Sequence, residues 1–125
     1  MAYTGNSSSF DGKRVDTASA SFSLTPNESG KVYILSGAAV TVTLPSLSDI
    51  NPGYSLTLIS GDDSEHVLSG GDSKIYAIVV QTTSTTRTAA ASTLTLSAGQ
   101  IGDTMKIVSD GTNWYVQCFS NAAAS

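Results

Sequence analysis

Residues 40–60 read Val-Thr-Val-Thr-Leu-Pro-Ser-Leu-Ser-Asp-Ile-Asn-Pro-Gly-Tyr-Ser-Leu-Thr-Leu-Ile-Ser. Val40, Val42 and Leu44 alternate with Thr41 and Thr43, and Tyr54, Leu56 and Leu58 alternate with Ser55 and Thr57. A period of two places the apolar side chains on one face of an extended strand and the hydroxyls on the other. Pro45 stops the first run. Asp49-Ile50-Asn51-Pro52-Gly53 turns the chain, because Pro52 presets φ and Gly53 tolerates positive φ. One helical turn fits around residues 46–50, and nothing longer has helical period.

The same alternation runs outward in both directions. Ala20, Phe22 and Leu24 alternate with serines up to Pro26-Asn27, and residues 31–35 form a short β-branched and aromatic run. Residues 93–96 alternate before the Ser97-Ala98-Gly99-Gln100 turn. Residues 105–109 and 113–119 flank Asp110-Gly111-Thr112, a hairpin signal. Trp114, Val116 and Cys118 share one face of the last strand, with Trp114 read as a core anchor. Ile75–Val80 differs in being apolar on both faces, so both must be covered, one by the core and the other by a partner subunit. Many short strands with almost no helix predict an all-β domain, a small antiparallel sandwich or barrel, jelly-roll-like, over residues 19–119. Residues 1–18 are expected to form an extended N-terminal arm with Tyr3 and Phe10 as anchors, and residues 120–125 a flexible tail.

Composition bounds the partners. Charged residues make up 13 % of the 125-residue chain, about half the usual share of about 25 %, and Ser and Thr fill the gap. Interface cores are depleted of charge, so the pattern suits a β-protein partly covered by neighbours. The formal net charge is −4, and Lys13, Arg14, Lys31, Lys74, Arg87 and Lys106 are scattered. Neutralising phosphates takes clustered cations, so neither nucleic acid nor a membrane surface is an expected partner. Cys118 is the single cysteine, which excludes an internal disulfide. The N-terminal residues have neither a basic start nor an apolar core, so synthesis in a cytoplasm without export is expected.

The segments Val40-Thr-Val-Thr-Leu-Pro-Ser46, Gly53-Tyr-Ser-Leu-Thr-Leu-Ile-Ser60, Leu94-Thr-Leu-Ser-Ala-Gly-Gln100 and Val108-Ser-Asp-Gly-Thr-Asn-Trp-Tyr-Val116 occur in that order. Together they resemble a β-module of phage virion proteins, found in tail-fibre segments, head fibres and capsid decoration (cement) proteins. The resemblance spans residues 30–119, and its most specific piece is Ser-Asp-Gly-Thr-Asn-Trp-Tyr. It implies a trimer-forming module with an attachment role on the virion and no catalytic residues. Fibres usually append the module to a longer shaft, whereas here it stands behind a short arm, which suits a decoration protein.

The residues offer little for catalysis. His66 is the only histidine and lies beside Asp62, Asp63, Ser64 and Glu65. A triad draws its members from separate elements around an oxyanion hole, so this cluster reads as a solvated turn. No spaced acidic loop suits calcium, and one His with one Cys cannot build a tetrahedral zinc site in one chain. Cys118 reads as a small buried side chain. Gly70-Gly71-Asp72-Ser73 lacks the Lys of a phosphate-cradling loop. No enzyme activity, cofactor or metal is expected.

The expected mechanism is assembly. Partners are further copies of the chain, as a homotrimer, and the major capsid protein, on the capsid exterior. Candidate contact residues are Tyr3, Phe10, Ile75, Tyr76, Ile78 and Val80. The alternative is a tail- or head-fibre module that attaches to host surface glycans, with exposed tyrosines among Tyr33, Tyr76 and Tyr115 clustered on one surface. A glycan-degrading enzyme, which would depend on Asp62, Asp63 or Glu65, is the rival from another class.

Overall fold

A computed structural model describes residues 14–81, 84–96 and 100–120. Tyr3, Phe10 and most of the expected arm, like the expected tail beyond residue 120, lie outside the described residues. In chain order the strands are β1 Val15–Ala18, β2 Phe22–Ser23, β3 Lys31–Leu35, β4 Thr41–Thr43, β5 Ser55–Ser60 and β6 His66–Ser69. They continue with β7 Ile75–Val80, β8 Thr85–Ala91, β9 Leu94–Leu96, β10 Thr104–Ser109 and β11 Trp114–Phe119. Single 3₁₀ turns occupy Pro26–Glu28 and Leu47–Asp49. The strands form a seven-stranded sheet ordered β1-β3-β5-β10-β11-β7-β8 and a four-stranded sheet ordered β2-β4-β6-β9.

The all-β class holds, but the antiparallel arrangement is corrected: both sheets are mixed. β1 pairs parallel with β3, and β3 with β5, while in the other sheet β2 pairs parallel with β4, and β4 with β6. The chain therefore alternates between sheets, one strand in each, through its first half. A parallel neighbour cannot be reached by a tight turn, and here the crossover is the strand laid into the opposite sheet. The second half closes the sheets differently. β9 adds antiparallel to β6, β10 inserts antiparallel beside β5, and β11 runs parallel to β7. β1 also places Val15–Ala18, which fall within the expected arm, as the edge strand of the larger sheet.

The apolar alternation accounts for the core. Leu56 and Leu58 of β5, Met105 and Ile107 of β10, Trp114, Val116 and Cys118 of β11, and Ile75, Ala77 and Val79 of β7 are all buried. From the smaller sheet Val42, Leu68, Leu94 and Leu96 join the same cluster. Two sheets each apolar on one face and closed on one another make a sandwich. The β10–β11 hairpin forms where Asp110-Gly111 predicts it. Gly111 takes φ 90°, and the Asp110 carboxylate accepts the amides of Thr112 (2.9 Å) and Asn113 (2.8 Å).

A bulge marks the outer edge strand. Ile75 pairs with Ala91 but Ala77 with Thr88, so β8 carries one extra residue there, and Ala90 sits at φ 53°. A non-glycine residue in this region costs about 1–2 kcal/mol, and glycine adopts it freely, with a larger entropic loss than alanine that is still smaller than this strain. Ala90→Gly is therefore expected to leave stability unchanged or raise it by up to about 1 kcal/mol. Thermal melting checks this; a marked fall in the midpoint would contradict the assignment of strain to Ala90.

Candidate functional site

The outer face of the seven-stranded sheet is built by the residues that the alternation turns away from the core. Three rows cross it in ladder register. The first runs Ile34, Ile59, Thr104, Phe119, Val80, Thr85, and the second Val32, Thr57, Lys106, Gln117, Ile78, Arg87. The third runs Ser55, Val108, Tyr115, Tyr76. Phe119, Val108, Tyr115, Tyr76 and Val80 remain 38–49 % exposed, and these are most of the large apolar side chains that the fold leaves in solvent. Scattered exposed hydrophobics are ordinary, whereas a contiguous set on one sheet face marks a contact or binding surface.

The face divides in two. The first row is an apolar band without a charged side chain. The second row from Thr57 to Arg87 and the third row line a concavity of about 700 Å³ with Tyr76, Ile78, Tyr115, Gln117, Lys106 and Arg87 on its floor and walls. The rings of Tyr76 and Tyr115 lie 6.2 Å apart and tilted by 34°. The β8 bulge borders the concavity at Ala89, and bulges bend and twist a strand locally. Tyr115 is held by the hairpin turn: its hydroxyl donates to Asp110 Oδ2 and accepts from Asn113 Nδ2, each at 3.3 Å.

Of the contact residues expected from the sequence, Tyr76, Ile78 and Val80 stand on this face. Ile75 does not. It is fully buried and belongs to the core, because the alternation of β7 turns odd-numbered positions inward, so it cannot meet a partner. Among the expected tyrosines, Tyr76 and Tyr115 cluster, while Tyr33 is buried in the sandwich with its hydroxyl donated to Glu28. Phe119, Gln117, Lys106 and Arg87 were missed. Trp-Tyr-Val-Gln-Cys-Phe at 114–119 is nearly as apolar on its second face as Ile75–Val80, and that was the available signal.

His66 is the main correction among the titratable residues. It is buried in β6 and not in a solvated turn. Its Nδ1 accepts the Val40 amide at 3.2 Å, which requires a bare Nδ1 and puts the proton on Nε2, facing Asp62 Oδ1 at 3.0 Å. Both ring nitrogens are thus committed, and the Asp62–His66 pair has a backbone amide where a triad would have its nucleophile. Asp62 Oδ2 also accepts the Gly37 amide at 2.6 Å, so the pair ties the loop after β3 to the loop after β5. Cys118 is fully buried, and burial with the nearby Asp103 charge pushes its thiol up to about 12, far from a reactive thiolate. Among the described residues no group of three or more His, Cys, Asp and Glu side chains is placed to hold a metal ion.

Three carboxylates titrate below their usual range. The amides of Ser64 and Gly37 hold Asp62 down, and those of Asn113 and Thr112 hold Asp110 down. Burial alone would raise Glu28, but bonds from Tyr33 and Thr25 and the charge of Lys31 outweigh it and lower it. A carboxylate whose folded value is depressed contributes stability that is complete above its unfolded value, about 3.9–4.3, and lost as pH falls through the folded value. The urea midpoint is therefore expected to drop as pH falls from about 5 towards 2, and Asp62→Asn to flatten that drop. A midpoint constant down to pH 2 would contradict this.

No family model matches the chain, and a search of curated proteins found no match.

Proposed function

We propose that this chain is a structural, non-enzymatic virion protein: a capsid decoration (cement) protein of a phage that trimerises and binds the coat lattice. The observation that carries the reading is the charge-free band Ile34-Ile59-Thr104-Phe119-Val80 across five strands of one exposed sheet face. Its occupant is a second copy of the chain. Obligate interfaces are more apolar than ordinary surface and depleted of charge at their centre, and the band has both properties in a chain already poor in charge. Closed cyclic assembly then repeats the contact on each copy. The three-fold number and the virion setting come from the sequence resemblance. The segment before β1 and one end of the trimer would engage the major capsid protein. Each binding event would stabilise the assembled shell over its dissociated parts.

Gold-tagged antibody against the protein on purified virions tests the setting. Label spread over the head is expected; label confined to the tail or a single vertex contradicts the decoration reading, and unlabelled particles contradict the virion assignment altogether. Deleting residues 1–13, which leaves β1 in place, is expected to preserve trimers and abolish decoration. Full occupancy by the truncated protein would contradict the role given to the arm. The Tyr76–Tyr115 pair favours a second reading, a head- or tail-fibre module attaching to host glycans, for which tail or single-vertex label would be the sign.

A further inference from the structure

The concavity beside the apolar band has a charge that the rest of the chain does not predict. The chain carries a formal charge of −4, yet Lys106 and Arg87 line the concavity and no Asp or Glu is among its lining residues. Neither cation has a carboxylate within salt-bridge distance among the described residues, whereas Lys31, which also borders it, is 3.8 Å from Glu28 and 3.9 Å from Asp16. Asp110 stands near the Tyr115 end, with its carboxylate taken up by the amides of Thr112 and Asn113 and by the Tyr115 hydroxyl. The floor is therefore electropositive, concave and partly aromatic.

We propose that this concavity, centred on Tyr76, Tyr115, Gln117, Lys106 and Arg87, binds an acidic oligosaccharide, a chain of uronate-type sugars. The two phenol rings offer apolar faces on which the C–H face of a pyranose packs. Gln117 offers both donor and acceptor to sugar hydroxyls. Lys106 and Arg87 take the carboxylates, the guanidinium through paired parallel bonds. They sit in one ladder row with Gln117 and Ile78 between them, three strand spacings or about 14 Å apart at the backbone, so a ligand meeting both is an oligomer. The ring of Tyr115 is already fixed by its turn, which lowers the ordering cost of binding.

Other anions fit less well. The concavity runs over β5, β10, β11 and β7 to Arg87, Thr88 and Ala89 of the edge strand β8. The amides and carbonyls of the four inner strands are consumed by ladders on both sides, so an acidic peptide cannot dock by adding a strand on the floor. A nucleic acid would need more clustered cations than two. The inference rests on the concavity and not on the assembly proposal, and loss of sugar binding would leave the oligomeric mass untouched.

Isothermal titration of the full chain with a short polygalacturonate oligomer tests it, with a neutral malto-oligosaccharide and a poly-glutamate peptide as comparisons. The expected result is polygalacturonate binding that weakens with salt and falls at least tenfold in the double variant K106Q/R87Q. Tyr115→Ala should lose at least tenfold as well, with its melting temperature checking the fold. If Tyr115→Ala unfolds, the double variant decides alone, because both cations are exposed. Equal binding of poly-glutamate would overturn the saccharide assignment in favour of an acidic peptide. Equal binding of the neutral sugar, binding unaffected by K106Q/R87Q, or no binding of polygalacturonate would each overturn the proposal.

Discussion

Trp114→Ala is expected to lower the free energy of unfolding by about 3–5 kcal/mol, the largest loss from any single substitution considered. Trp114 is fully buried at the start of β11, where its ladder partners are Ile75 and Ser109. It meets the Tyr54 ring edge-on, with centroids 5.7 Å apart at 86°. Truncation removes that contact and leaves a cavity among side chains held by two ladders, which cannot collapse to fill it. One feature of the indole works the other way. Nε1 is buried without a hydrogen-bond partner among the described residues, and an unsatisfied buried donor costs about 1–3 kcal/mol. Trp114→Phe keeps most of the ring volume and deletes the donor, so its loss is expected to stay below about 2 kcal/mol. Urea unfolding monitored by circular dichroism compares the two. A Phe variant as unstable as the Ala variant would contradict this account of the packing around Trp114.

The second large effect is expected at His66. His66→Ala opens a cavity and leaves the Val40 amide without an acceptor, for a loss of about 2–4 kcal/mol. Two further variants separate the bonds. The side-chain carbonyl of Asn reaches the position of Nδ1 and can still accept from Val40, whereas the longer Gln reaches towards Asp62. Val40 is fully buried and Asp62 is partly solvated. Water replaces the lost Asp62 bond more readily than the Val40 bond. His66→Asn should therefore be more stable than His66→Gln and His66→Ala. The reverse order of Asn and Gln in urea midpoints would place the weight on the Asp62 contact instead.

The local elements that the sequence showed clearly are those with strict alternation or a diagnostic turn. Lys31–Leu35 and Ile75–Val80 run as read, and Asp110-Gly111 closes the hairpin where expected. Three strands were not legible. Val15–Ala18 and Thr85–Ala91 are the edges of the larger sheet, where one neighbour and little burial suffice, so few apolar residues mark them. His66–Ser69 was hidden by an acidic run before it and by a histidine whose burial depends on an amide some 26 residues away. Strand direction was the larger failure. Alternation is the same for parallel and antiparallel strands, and the winding between sheets is set by pairings far apart in sequence. The candidate site shares that property: Tyr76 and Tyr115 meet only because β7 and β11 are parallel neighbours. The second apolar face of Ile75–Val80 was visible in the residues, but its neighbours Phe119, Lys106 and Arg87 were not.

The proposal that the band across the outer sheet face holds copies together is tested most directly by the solution mass of the chain. Sedimentation equilibrium over a wide concentration range should give three times the mass of one chain. Phe119→Glu, which sets a charge in the band between Thr104 and Val80, should give the mass of a single folded chain. A single-chain mass for the unaltered protein at every concentration, or an unchanged trimer in the Phe119→Glu variant, would contradict the account.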